Sequence, residues 1–71
     1  MERGDKVQLI SLDATKAAGY YFYWPVQNAL DYQDTCGVWS TGKDQQGREF
    51  VEIVIHGDVH QVALEDLKEI E

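Results

Sequence analysis

The sequence has 71 residues with one cysteine, one proline and one methionine, and only six Lys and Arg against thirteen Asp and Glu. The single Cys36 excludes an internal disulfide and leaves no Cys-x-x-Cys pair for a metal or redox site. A lone thiol also fits a reducing compartment, so the expected location is the cytoplasm. The shortage of cations, with a net charge of -7, opposes direct binding to nucleic-acid phosphate, which needs clustered Lys and Arg. No apolar run approaches the roughly 20 residues that span a bilayer, and the opening Met1-Glu2-Arg3-Gly4-Asp5-Lys6 lacks the apolar stretch of a signal peptide. A soluble chain that is not exported and makes no membrane contact is the expectation. Gly37, Gly42 and Gly47 lack a following helix start with Lys and Ser or Thr, so no phosphate-cradling loop is present. There is no internal repeat, low-complexity stretch or linker.

What the chain does have is five consecutive aromatic residues, Tyr20, Tyr21, Phe22, Tyr23 and Trp24, followed at once by Pro25. A strand alternates its faces and a helix spreads neighbours around its circumference, so neither can turn five successive rings to one core. Some of them are therefore expected at the surface. Residues 1–71 read as a single small domain, of a size that buries only about 60% of the surface its unfolded chain exposes. Stability is then thin, and without an internal disulfide, association becomes a natural support.

Residues 6–12 read as a first strand with Val7, Leu9 and Leu12 inward, entered through the turn-forming Gly4-Asp5. Residues 13–19 lose strand character and end at Gly19, which either caps a short helical turn or marks a loop. In residues 26–32 the spacing of Val26, Ala29 and Leu30 predicts one or two helical turns. A short strand follows over 36–41, a polar turn over 42–47, and a strong strand over 49–56. In that strand Val51, Ile53 and Ile55 share one face. Gly57-Asp58 reads as the tight turn of a hairpin returning over 59–64. The end, 64–70, allows either a single helical turn leading into a short strand or a short helix.

The opening Gly-Asp-x-Val strand, the Gly-Val central strand, the hairpin and the closing Leu-x-x-Ile together read as a mainly β chain closed into a small barrel. The layout resembles the five-stranded Src-homology-3-like barrels of photosystem I subunit IV, the variable chain of ferredoxin-thioredoxin reductase and the plasmid-borne trimethoprim-insensitive dihydrofolate reductase. Gly4, Val7, Gly37, Trp39, Leu67 and Ile70 carry the resemblance. It covers both ends and the middle of the chain but not residues 13–34. It implies a barrel with a long loop or short helix after the first strand, and it speaks to fold rather than function. The reductase barrel would imply a nicotinamide and folate site lined by a Val-Gln-Ile-Tyr strand, where this chain has Val59-His60-Gln61-Val62, so that chemistry is not carried over. The photosynthetic subunits meet acidic carriers with basic surfaces, whereas this chain is acidic.

His56 and His60, with Asp58 between them, bracket the expected hairpin turn, but a metal wants three or four ligands in the right geometry. They are read as polar hairpin positions facing water. Cys36, a histidine and Asp34 include the residue types of a cysteine hydrolase; catalysis would need a depressed thiol pKa and a base within reach. Cys36 beside Val38 in a strand is instead read as a small buried hydrophobe. No catalytic, cofactor or metal residue is assigned, and the chain is read as non-enzymatic. The expected function is a protein-binding module or small accessory subunit that uses an aromatic patch of Tyr20, Tyr21, Phe22, Tyr23, Trp24 and Trp39. Tyr and Trp give large rigid contact area at little entropic cost. With Asp13, Asp31 and Asp34 nearby, such a groove favours a basic or Pro-containing segment. Two alternatives stand beside this: a self-assembling structural subunit, with the aromatics buried between copies, and an acidic nucleic-acid mimic that inhibits a DNA-binding protein.

Overall fold

Alternating apolar residues build the strands, and a computed structural model describes residues 1–70. In chain order the elements are β1 (Lys6–Leu9), α1 (Asp13–Ala17), α2 (Trp24–Asp31), β2 (Cys36–Lys43), β3 (Glu49–Ile55), β4 (Asp58–Ala63), a 3-10 turn (Leu64–Asp66) and β5 (Leu67–Ile70). The chain is mainly β. All five strands pair antiparallel in one sheet of order β4-β3-β2-β1-β5. Closure into the expected barrel does not appear in this pairing: β4 and β5 stand at opposite ends of the order, and no ladder joins them among the described residues.

The core forms on one face of the sheet. Val7, Leu9, Val38, Val51, Ile53 and Val62 are buried there, and Val26 and Ala29 bring α2 down onto them. Val51, Ile53 and Ile55 take the inward face of β3, as their period of two requires. The first strand is shorter than its apolar pattern suggests. It stops at Leu9 because the chain turns away: Ile10 donates its amide to the Asp66 carbonyl (2.8 Å) and is exposed, while Leu12 is buried at the start of α1. At the other end, the first of the two readings of residues 64–70 holds, a helical turn followed by a short strand.

The hairpin turn between β3 and β4 lies one residue earlier than expected. The turn is His56-Gly57, with Ile55 opposite Asp58, and both turn residues have positive φ, 52° and 84°. That pair of angles belongs to a type I′ turn, whose hand matches the twist of the flanking strands and which favours glycine at its second position. Asp58 is therefore the first residue of β4 rather than part of the turn. His60 lies opposite Ile53 on the core face, so the water-facing position expected for it is incorrect; of the two histidines His56 faces water. Moving a two-residue turn by one position shifts the register by two and keeps the same faces inward, so alternation with the buried Val62 already places His60 on the core side.

Two helix ends and one carboxylate lead the chain into the aromatic run. α1 closes in a Schellman motif: Gly19, at φ 78°, donates to the Lys16 carbonyl (3.0 Å), and Tyr20 donates to that of Thr15 (3.1 Å). Gly19 is thus a cap, the first of its two expected roles. From the far end of the sequence, the buried Asp66 carboxylate reaches the start of α1. It accepts from Ser11 Oγ (2.6 Å), the amides of Ala14 (3.2 Å) and Thr15 (2.7 Å), and Thr15 Oγ1 (2.6 Å). Thr15 Oγ1 in turn accepts from the Ala63 amide of β4 (3.0 Å). Burial alone would raise the pKa of Asp66, but these hydrogen bonds outweigh it and hold the carboxyl below the ordinary carboxylate range.

Candidate protein-binding surface

Between the two helices the aromatic segment is extended, so its side chains alternate. Tyr20 and Phe22 turn one way and are half-buried; Phe22 packs against the core cluster. Tyr20 meets Phe50 edge-on, with ring centroids 6.2 Å apart, and donates its hydroxyl to Asp44 (2.8 Å). Desolvation and then the Asp44 carboxylate push the Tyr20 hydroxyl pKa up, while the same bond draws that of Asp44 down. Tyr21 and Tyr23 turn the other way, their rings 4.6 Å apart and nearly perpendicular. Trp24 opens α2, off the stripe of Val26 and Ala29 that the helix buries. Pro25 follows in the first turn, where its missing amide breaks no helical bond. Tyr21, Tyr23 and Trp24 are 75%, 53% and 72% exposed. The run is divided, with two rings serving the interior and three lying on the surface.

Two of the exposed rings, Tyr23 and Trp24, border a cleft. Tyr23, Trp24, Pro25, Asp58, Val59 and His60 line it. His60 is nearly buried, its ring edge-on to Tyr23 at 6.1 Å, and its Nε2 has no hydrogen-bond partner among the described residues. Buried polar atoms are almost always paired, so this one marks the cleft as chemically unfinished. Val59, beside it, is an exposed apolar residue on a sheet edge. Asp58 places a carboxylate on the rim. Sequence reasoning missed Asp58, Val59 and His60 as a group because Tyr23, Trp24 and Pro25 reach them only through tertiary packing. The available signal for His60 was its alternation with the apolar Val62, which puts both on the inward face; for the turn it was glycine at the second position, which frames the pair as His56-Gly57.

Trp39 stands elsewhere. It projects from β2 where the pairing with β3 shifts register between Val38 and Ser40, and the Arg3 guanidinium lies 3.7 Å from its ring centroid. No ring contact among the described residues joins it to Tyr21, Tyr23 or Trp24. Of the expected acids, Asp31 accepts from Gln27 Nε2 (2.9 Å) one turn earlier on α2.

Two other constellations come together differently than their residue types suggest. Asp34, Cys36 and His56 do line one shallow cleft, but neither His56 nor Asp34 offers the thiol a side-chain hydrogen bond; its contact is with the Asp34 carbonyl at 3.8 Å. Burial first, and the Asp34 charge second, push the Cys36 thiol pKa up, the reverse of an activated nucleophile. His56 and His60 are separated by the turn, and no group of three His, Cys, Asp or Glu among the described residues is arranged to hold a metal. No helix is long and apolar enough to cross a membrane among those residues. No protein-family model matches this sequence, and comparison with curated proteins and with solved structures likewise yields no match.

Proposed function

We propose that the chain is a protein-binding module whose contact surface is the face made by Tyr21, Tyr23, Trp24 and Val59 around the His60 cleft. The observation that carries this is the grouping of three exposed large rings beside an apolar sheet edge, where a small domain gains nothing by exposing them. Tyr and Trp suit such a surface because each joins a rigid apolar body to a polar atom. Tyr20 and Phe22 hold the segment in place rather than meet the partner, and Trp39 with Arg3 forms a separate spot. We also infer that the sheet curls in the manner of the Src-homology-3-like barrels; the strand order, the bulge beside Trp39 and the 3-10 turn before β5 support that reading.

The test is affinity capture with the intact protein and with its Trp24→Ala form, both shown to be folded, followed by affinity measurement with the purified partner. Loss of about 2 kcal/mol or more on substitution, roughly 30-fold, is the expected result. Equal affinity would remove Trp24 from the surface. No partner, together with a mass that rises with protein concentration, would assign the aromatic face to contacts between copies.

A further inference from the structure

One edge of the sheet is open next to the aromatic face. β4 is the terminal strand, and Ala63 gives its amide to Thr15 Oγ1 rather than to β3. Strand amides alternate sides with a period of two, so those of Gln61 and Val59 also face away from β3. The hairpin gives the same frame, since in a two-residue turn the closing pair, here Ile55 and Asp58, is the hydrogen-bonded one. No hydrogen bond among the described residues takes up the Val59 or Gln61 amide. Proteins guard such edges with Lys, Pro or a bulge, yet β4 reads Asp-Val-His-Gln-Val-Ala and pairs with β3 without a register shift. Thr15 and α1 cover only its Ala63 end.

We propose that the partner docks by strand addition on β4, a proposal that rests on the protein-binding reading above. The occupant is an extended basic segment of another protein. Its backbone pairs with Val59 and Gln61, and alternate side chains lie over Tyr23, Trp24 and Val59. Strand addition draws affinity from main-chain bonds and specificity from pockets for every second side chain, and the cleft beside Val59 supplies such a pocket. Charge selects the partner. Asp58 lines the cleft, and the whole chain carries -7, which disfavours a second copy and attracts Lys or Arg. The exposed faces of Tyr23 and Trp24 offer such a cation the contact that Arg3 makes with Trp39 within this chain.

The experiment titrates the intact ¹⁵N-labelled protein with a synthetic peptide in which Arg and Lys alternate with Val and Thr. Three comparison peptides carry Glu in place of the cations, or N-methyl groups on alternate amides in one frame or in the other. The expected result is slowed exchange of the Val59 and Gln61 amides and a shifted Trp24 indole. Affinity should fall at least about tenfold for the Glu peptide and for one N-methylated frame. Gln61→Pro removes an outward amide and no ladder bond, so it should weaken binding by a similar factor with an unchanged circular dichroism spectrum. If Trp24→Ala weakens binding but N-methylation in both frames and Gln61→Pro do not, strand addition is wrong and the aromatic surface stands. Edge protection insensitive to Trp24→Ala would do the opposite. Absence of binding at millimolar peptide, equal binding of the Glu peptide, or protection that grows with protein concentration alone would overturn the proposal, the last in favour of a second copy.

Discussion

Replacing Asp66 with Asn should cost about 3 kcal/mol, because the side chain is 1% exposed and each of its oxygens accepts two hydrogen bonds. Asn keeps one acceptor oxygen and turns an NH2 group toward donors at the other. The buried Thr15 amide is then left unpaired, at about 1–3 kcal/mol, and the bonds that remain lose the strength a charged acceptor gives them, about another 1 kcal/mol. A domain of this length has about 4–10 kcal/mol of stability in total, so Tm should fall by about 12–24 °C. Urea unfolding followed by circular dichroism at neutral pH measures the loss; fluorescence is the poorer probe because Trp24 and Trp39 are already exposed. The pH dependence is a second readout. The folded-state pKa of Asp66 is depressed, so its contribution is complete above the unfolded value of about 3.9 and disappears as pH falls through the lower folded value. The stability curves of the two proteins should therefore converge below about pH 4. A loss under about 1 kcal/mol at neutral pH, or curves that stay parallel in acid, would refute the claim that this carboxylate ties α1 to the end of β4.

Trp24→Ala should leave stability within about 0.5 kcal/mol, as for an exposed site, whereas Phe22→Ala, which removes a ring packed on the core, should cost about 2–3 kcal/mol; equal effects on urea midpoints would contradict the division of the run. Gln33 closes α2 at φ 54°, with its amide bonded to Leu30 and that of Asp34 to Ala29, so Gln33→Gly should stabilise by about 0.5–1 kcal/mol. Gly57→Ala should destabilise by about 1 kcal/mol or more by forcing a Cβ into the left-handed region. His60→Leu removes a buried unpartnered nitrogen at similar volume, and thermal unfolding should show a gain of about 1 kcal/mol; a loss would reveal an unrecognised partner for that imidazole.

Period and turn chemistry are local properties, so much of this chain was legible as a string. The inward faces of β1 and β3 followed from Val7 and Leu9 and from Val51, Ile53 and Ile55, and the helical turns near Val26 and Ala29 from spacings of three and four. The division of the aromatic run was foreseeable only as a necessity: five neighbouring rings cannot share one face. Which of them turn outward depended on where α1 ends, through the Gly19 cap, and where α2 begins, at Trp24. Those two ends are local, but the start of α1 is not: the Asp66 carboxylate that holds it lies 51 positions from Thr15.

Composition alone determined that an internal disulfide is impossible, that the net charge is strongly acidic, and that aromatic surface is concentrated in one short segment. Alternation determined a mainly β chain. The tertiary structure decided the frame of the β3-β4 hairpin, and it brought Tyr23 and Trp24 beside Val59 and His60. It also decided that β4 ends the sheet with the Val59 and Gln61 amides unpaired among the described residues. The physical reason is that a turn moved by one residue shifts the register by two and keeps the same faces inward, so alternation cannot choose the frame, and the packing of Tyr23 and Trp24 beside β4 joins residues far apart in the chain.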